Sequence, residues 1–333
     1  MATQQTPQDT SKKSGWMQRL LDLAMTKEGV LFIIMVLAIL YISSQSSLFL
    51  TQNNILNQGR LITEIALIAL PMTYIIITGG IDLSVGSIAG LSAIMLGYSW
   101  ETWGLPLELA IVVALAISTL AGFINGLIIV KLDVPPLITT LATLALYRGM
   151  ALGISESRSV RGYPDWFVRL GDGSFLGIPN QLWILMIAIV ITGVILARTT
   201  FGRSLYAIGN NEVAARFSGI PVGRYKLMIY TFSGFMAGLS GYILVSRVTT
   251  TRSDMGSGWE LDAIAAVVLG GTSIFGGSGS IFGTVIGFIL IQLLKNGLSL
   301  MGVTGDATIV VIGLVLIFAI LVNNLIQRRA EKA

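Results

Sequence analysis

Gly79-Gly80-Ile81-Asp82-Leu83-Ser84-Val85-Gly86-Ser87-Ile88-Ala89-Gly90 sets one carboxylate and four glycines inside a run that is otherwise apolar enough for a bilayer. Before it, Leu61 to Thr78 is long enough to cross about 30 Å of hydrocarbon, whereas Val85 to Tyr98 after it is apolar but short for a full crossing. Asp82 therefore falls where one membrane segment breaks and the next begins. Non-helical backbone at membrane depth is tolerated only where protein buries it or a watery cavity wets it, so this break points inward, away from lipid. The plainer alternative is a tight glycine turn at the membrane surface, with Asp82 capping the helix that follows.

Composition places the whole chain in the same class. Of its 333 residues 54% are hydrophobic and only 11% charged, with a mean hydropathy of +0.81; a soluble domain carries about 25% charged residues. The expected fold is all-α, a polytopic membrane protein. The 38 glycines and 8 prolines lie largely within apolar segments, as in closely packed or broken membrane helices. With no cysteine there is no thiolate nucleophile or cysteine metal site, and with no histidine the commonest metal ligand and general base is missing. No catalytic residue and no metal site are assigned, and a membrane-embedded enzyme is disfavoured because no nucleophile-base pair stands out. The net charge of +4 reads as a topology signal, and no nucleic-acid partner is expected.

Residues 1–28 are polar and read as a cytoplasmic tail. A membrane domain follows over 29–325, and 326–333 form a second cytoplasmic tail. Within the domain the apolar runs are Gly29–Leu50, Leu61–Thr78, Val85–Tyr98, Leu109–Val130, Pro136–Ile154, Leu182–Ala197, Leu227–Val248, Leu261–Gly271, Ile281–Leu294 and Ala307–Leu325. These make about ten transmembrane helices; three are marginal in length, so eight spans plus re-entrant pieces is the alternative. The 198–226 loop carries Arg198, Arg203, Arg216, Arg224 and Lys226 against Glu212, a net of +4, and should be cytoplasmic. The 155–180 loop balances three arginines with three carboxylates and reads as external. Ten crossings would put both termini in the cytoplasm.

Gly86-Ser87-Ile88-Ala89-Gly90 and Gly279-Ser280-Ile281-Phe282-Gly283 agree in four of five places, which suggests an internal repeat with both copies in the same sense. Glycines four apart, at Gly86/Gly90, Gly279/Gly283/Gly287, Gly122/Gly126 and Gly234/Gly238, let helix backbones approach closely. Ionisable residues within or beside spans normally face partners or a cavity. Glu64, Asp82, Glu260 and Asp262, with Ser84 and Asn125, are therefore candidates for a translocation path. Arg247 and Arg252 stand close enough in sequence to pair with Glu260 or Asp262. No Gly-x-x-x-x-Gly-Lys-Ser/Thr loop is present, so an ATP-driven process would place the nucleotide on another chain.

In the basic loop, Asn210-Asn211-Glu212-Val213-Ala214-Ala215-Arg216-Phe217-Ser218-Gly219-Ile220 predicts a short helix with Asn at its N-cap and an end near Gly219 and Pro221. Taken with Ile77 to Ser87, with Lys131-Leu132-Asp133-Val134-Pro135-Pro136-Leu137-Ile138-Thr139-Thr140-Leu141, and with Leu269 to Gly283, the chain from about Gly29 to Leu325 resembles the permease subunits of ribose-type bacterial ABC importers. The resemblance implies a second permease subunit, identical or not, together with cytoplasmic ATP-binding subunits and an extracytoplasmic solute-binding protein. It further implies location among the lipids of the bacterial cytoplasmic (inner) membrane, and no cofactor on this chain, ATP being bound by the partner ATPase. Ala214, Ala215 and Gly219, flanked by Glu212 and Arg216, resemble the loop that such permeases dock into their ATPases. Two departures stand out: Glu212 comes one place early, and Thr231-Phe232 replaces a Leu-Pro ending. The run Val248 to Leu261 looks most like permeases for rhamnose or autoinducer-2, and less like those for ribose. An ion-gradient-driven secondary transporter of a small polar solute is the alternative, since such proteins also use carboxylates at broken helices.

Overall fold

The computed structural model describes residues 27–314 and 317, so both expected tails, 1–28 almost entirely and 326–333 wholly, lie outside the described residues. In chain order the helices are α1 (Lys27–Gln45), α2 (Gln52–Ile77), α3 (Val85–Glu101), α4 (Leu107–Lys131), α5 (Pro136–Ser155) and α6 (Asp165–Asp172). A small antiparallel hairpin, β1 (Ser174–Phe175) and β2 (Ile178–Pro179), precedes α7 (Asn180–Arg198), α8 (Thr200–Asn210), α9 (Glu212–Phe217), α10 (Val222–Val248), α11 (Trp259–Leu269) and α12 (Ile281–Leu300). A last apolar helix, α13, covers Gly305–Leu314.

Six of these, α2, α4, α5, α7, α10 and α12, are long and apolar enough to cross a membrane alone. Nine of the ten expected runs coincide with helices, and the tenth is helical over 307–314, most of its remainder lying outside the described residues. The four others, α1, α3, α11 and α13, are shorter or less uniformly apolar among the described residues; α11, with 11 residues, spans only about 16 Å at 1.5 Å per residue. Large apolar side chains on α4, α5 and α7, among them Val112, Leu120, Ile138, Leu141, Val190 and Ile191, remain exposed, as a lipid-covered surface requires.

The interior is built on helix crossings in which glycine replaces side chain. Where α4 crosses α10, a Cβ on Gly122 would stand 2.8 Å from the Cα of Gly234, and the reverse is equally true. Gly234→Val should therefore lower the melting temperature of the purified chain by several degrees, since overpacking a fitted contact costs about 1–3 kcal/mol. Gly149→Val on the exposed face of α5, where nothing lies within 4 Å of the new Cβ, should leave it unchanged.

Packing reveals an internal repeat whose sense is opposite to the expected one. α2 and α10 are the two longest helices and run antiparallel, Tyr74 stacking on Phe232 at 6.2 Å while Ser240 Oγ donates to the Glu64 carbonyl at 2.7 Å. Each is followed by a non-helical, glycine-bearing crossing and then by a short helix, α3 or α11. The third helix of each unit lies antiparallel on the first helix of the other: α4 on α10 through Gly122 and Gly234, and α12 on α2 through Thr73–Thr284 at 2.8 Å and Asn54–Asn296 at 2.8 Å. Thus α2–α3–α4 and α10–α11–α12 are related in inverted orientation. The Gly-Ser-Ile-x-Gly match misleads because it marks a shared way of starting a close-packed helix. Gly283 and Gly287 press on Gly270 and Ala266 at the end of α11, whereas Gly86 and Gly90 press on Gly256 and Met255 before its start.

Both short helices begin inside the protein. Asp82, just before α3, bonds to Ser233, the twelfth of the 27 residues of α10, and so lies near the middle of that span. The 249–258 segment descends along α3 from the opposite end, Thr251 beside Gly97 and Gly256 beside Gly86. The N-termini of α3 and α11 meet there.

Candidate functional site

The break before α3 is held by a buried polar network. Asp82 Oδ1 accepts from the Ser84 backbone N–H at 3.0 Å and from Ser84 Oγ at 2.6 Å, and its Oδ2 accepts from Ser233 Oγ at 3.0 Å. Asn125 Nδ2 donates to Ser84 Oγ at 2.7 Å, and the Tyr147 hydroxyl donates to Asn125 Oδ1 at 3.1 Å. Thr140 Oγ1 donates to the Ile81 carbonyl at 3.1 Å. Asp82, Ser84, Asn125 and Ser233 are all fully buried. Sequence reading brought three of these together as path candidates; in the structure they tie the break to α4, α5 and α10. Ser84 does not cap α3 with its side chain, because its hydroxyl is already given to Asp82. Tyr147 and Ser233 were not anticipated: a hydroxyl in an apolar helix looks like any other until its facing partner is known.

The other carboxylates are paired differently from the sequence expectation. Arg247 Nε meets Glu64 Oε1 at 2.7 Å, and Glu64 is buried; Arg247 was expected to serve Glu260 or Asp262. Asp262 is held instead by Lys295 Nζ at 2.7 Å, and Arg252 by its neighbour Asp254. Neighbourhood in sequence is the wrong guide here, because the chain returns past α2 before it reaches α11. Glu260 stands where the two short helices meet: a Cβ on Gly86 would collide with its Oε2, and that oxygen is buried without a donor. Beside it Arg148 Nη1 donates to the carbonyls of Ser253 at 2.6 Å and Met255 at 2.7 Å, pinning the descending segment to α5. Among the described residues no three acidic side chains converge as metal ligands would.

At the other end, α9 forms as its sequence predicts. Asn211 Oδ1 accepts from the Ala214 N–H at 2.9 Å, capping the first turn. Ile220 N donates to the Ala215 carbonyl at 3.1 Å and Gly219 N to that of Arg216 at 3.0 Å, with Gly219 left-handed at φ +82°, a Schellman end. Glu212 receives Arg216 Nη2 and Lys226 Nζ, each at 2.7 Å. Partial burial pushes its carboxyl up, but these hydrogen bonds outweigh the burial and hold it below its ordinary value. The small residues have reasons internal to the loop. Ala215 is buried against Ile208 and Val222, and Gly219 is required by backbone conformation, with open space around it. The exposed face is Val213, Ala214, Arg216 and Phe217, of which Phe217 is 89% exposed. Phe217 was overlooked because an apolar residue in a short helix reads as its buried side.

The arm formed by α8 and α9 meets the end of α2 backbone to backbone, beside the bond from the Tyr206 hydroxyl to the Gly279 carbonyl at 2.7 Å. A Cβ on Gly209 would overlap the Ile77 carbonyl oxygen, and Gly277 N donates to the same oxygen at 2.9 Å. The end of α2, the end of α8 and the crossing between α11 and α12 therefore share a single carbonyl.

Comparison with known proteins accords with this geometry. The family described as branched-chain amino acid transport system / permease component matches residues 54–320. The ribose import permease of Bacillus subtilis is 42% identical over 295 residues, covering 88% of this chain and 91% of that one. Its Escherichia coli K12 counterpart is 37% identical over 306 residues, 90% and 94% of the two chains. An autoinducer 2 import system permease of Yersinia enterocolitica is 36% identical over 271 residues, 80% and 82% of the two chains. No solved structure matches.

Proposed function

The chain belongs to the branched-chain amino acid transport system / permease component family, and on that premise we propose that it is the membrane-spanning permease subunit of an ATP-driven bacterial importer for a monosaccharide or sugar-like solute. The observation that carries this reading is the continuous likeness to ribose import permeases over about nine-tenths of both chains. Ribose is the first solute to test: the ribose permeases exceed the autoinducer 2 permease in identity, although the run Val248 to Leu261 by itself suggested the reverse order.

The permease works with a second permease subunit, with ATP-binding subunits at the α9 end, which faces the cytoplasm, and with a solute-binding protein at the α6 end. All six path candidates are engaged by partners within the chain, Glu260 through one oxygen that accepts from the Gly258 N–H at 3.3 Å, which supports a solute path between two subunits over one through a single subunit. Asp82 and its network then brace the break, and ATP-driven movement reaches it through the arm fixed at Ile77. The exposed Val213 and Phe217 supply apolar contact to the ATPase.

Reconstitution with the ATP-binding subunit and binding protein of a ribose importer tests the reading. Ribose added with its binding protein should stimulate ATP hydrolysis and be taken up; uptake that runs on an ion gradient without the ATPase would overturn the assignment. Phe217→Asp should reduce co-purification of the ATPase severalfold while leaving the melting temperature of the chain alone. Ala215→Trp should lower that melting temperature, because the new ring has to enter the space between Ile208 and Val222.

A further inference from the structure

The hairpin before α7 pairs Ser174 with Pro179 and Phe175 with Ile178, leaving Leu176 and Gly177 as a two-residue turn. Both turn residues have positive φ, +54° and +76°. A turn of this kind is ordinarily made by Asn-Gly, Asp-Gly or Gly-Gly, because only such residues enter left-handed space at low cost. Leucine there is strained, and it gains nothing from its own protein: Leu176 is 77% exposed and its neighbour Phe175 62% exposed. A bulky apolar side chain kept in a strained, exposed position indicates that something outside the chain covers it.

The position of the hairpin says what that is. Trp183 Nε1, in the first turn of α7, donates to the Phe175 carbonyl at 3.2 Å, and the two rings meet edge to face with centroids 6.2 Å apart. Asn180 N donates to Gly173 O at 3.1 Å and Gln181 Nε2 to Gly171 O at 2.7 Å, so the hairpin cannot swing free of α7. α7 itself is long and apolar enough to span, and Ile187, Val190, Ile191 and Val194 on it are exposed. Phe175 and Leu176 thus continue the apolar exterior of a spanning helix past a tryptophan at its end. Amphipathic aromatic rings favour the membrane–water boundary, and the turn itself carries no charge with which to recognise a polar protein.

We infer that the Phe175-Leu176 hairpin tip is an interfacial anchor, embedded at the boundary between headgroups and acyl chains of the lipid leaflet into which the α6 end of the protein emerges. It fixes the depth and tilt of α7 from outside the bundle, as a wedge in the interface would. The anchor recognises the interface as a phase, and needs no particular headgroup.

The chain contains no cysteine, which makes the test direct. Leu176→Cys and, separately, Phe175→Cys are labelled with an environment-sensitive nitrobenzoxadiazole dye in the full-length chain and reconstituted in phosphatidylcholine–phosphatidylglycerol vesicles. Ser157→Cys, on an exposed bend of the same external loop, is the reference. Dye at 175 and 176 should emit to the blue of the reference and be quenched at least threefold more by lipid spin-labelled high on the acyl chain. If Leu176→Cys does not fold, Phe175→Cys carries the same expectation. Emission and quenching equal to the reference at both positions overturn the inference, as does protection that develops only after the solute-binding protein is added. Quenching greatest with lipid spin-labelled at the bilayer centre would overturn it as well, since that depth belongs to a spanning segment.

Discussion

An Asp82→Leu chain is expected to reach the membrane in ordinary amount and to transport at a few per cent of the normal rate or less. The carboxylate accepts three hydrogen bonds in a fully buried setting, two from Ser84 and one from Ser233. Leucine has the same branching but is bulkier, and it strands those donors; each buried group left unpaired costs about 1–3 kcal/mol. The loss falls on the crossing between α2 and α3, not on the helices, so insertion should survive while the geometry of the break does not. Asp82→Asn keeps an oxygen able to accept from Ser84 and should recover part of the rate. Uptake by vesicles loaded with matched amounts of each chain is the measurement. Full transport by Asp82→Leu would mean that the network is packing without consequence for the path.

The second large effect concerns the ion pair between α2 and α10. Arg247→Leu leaves Glu64 buried with no counter-charge, and breaking a buried pair from one side destabilises by about 3–5 kcal/mol. The variant should accumulate poorly or melt many degrees below wild type. Glu64→Gln combined with Arg247→Gln removes both charges and should recover most of the loss, since what is costly is the unpaired charge. A double variant as unstable as Arg247→Leu would show that the side-chain shapes matter more than their charges. Melting curves of the three purified chains, read from aggregation in size-exclusion chromatography, decide it.

Sequence made the break at Asp82 legible because a carboxylate between glycines is anomalous among membrane-grade residues. It also made legible the apolar helices among the described residues and the capped helix α9, whose signals are local. What it could not supply were partners fixed by tertiary return of the chain. Glu64 finds Arg247 across 183 positions, and Lys295 reaches Asp262 from the next helix. The inverted relation between α2–α4 and α10–α12 is carried by lengths and interruptions of helices, while the visible Gly-Ser-Ile-x-Gly identity belongs to unrelated places in it. Ala215 and Gly219 have reasons to be small within the loop itself, and sequence does not separate these from the demands of a partner, because small residues satisfy a tight fold and a tight partner equally well. The hairpin tip went unseen since Leu-Gly lacks the polar residue by which such a turn is ordinarily spotted.

The carbonyl of Ile77 has a consequence for timing. Gly209 and Gly277 both abut it, so the arm ending in α9 and the crossing between α11 and α12 are bolted to the place where α2 gives way to the Asp82 crossing. Tyr206 adds a second tie between the arm and the same crossing, its hydroxyl donating to the Gly279 carbonyl at 2.7 Å. On the proposed function, a push on α9 would reach both inverted units through this one junction. The junction has the form of a clutch kept engaged, since backbone meets backbone at Ile77 and Tyr206 closes the same gap from the arm.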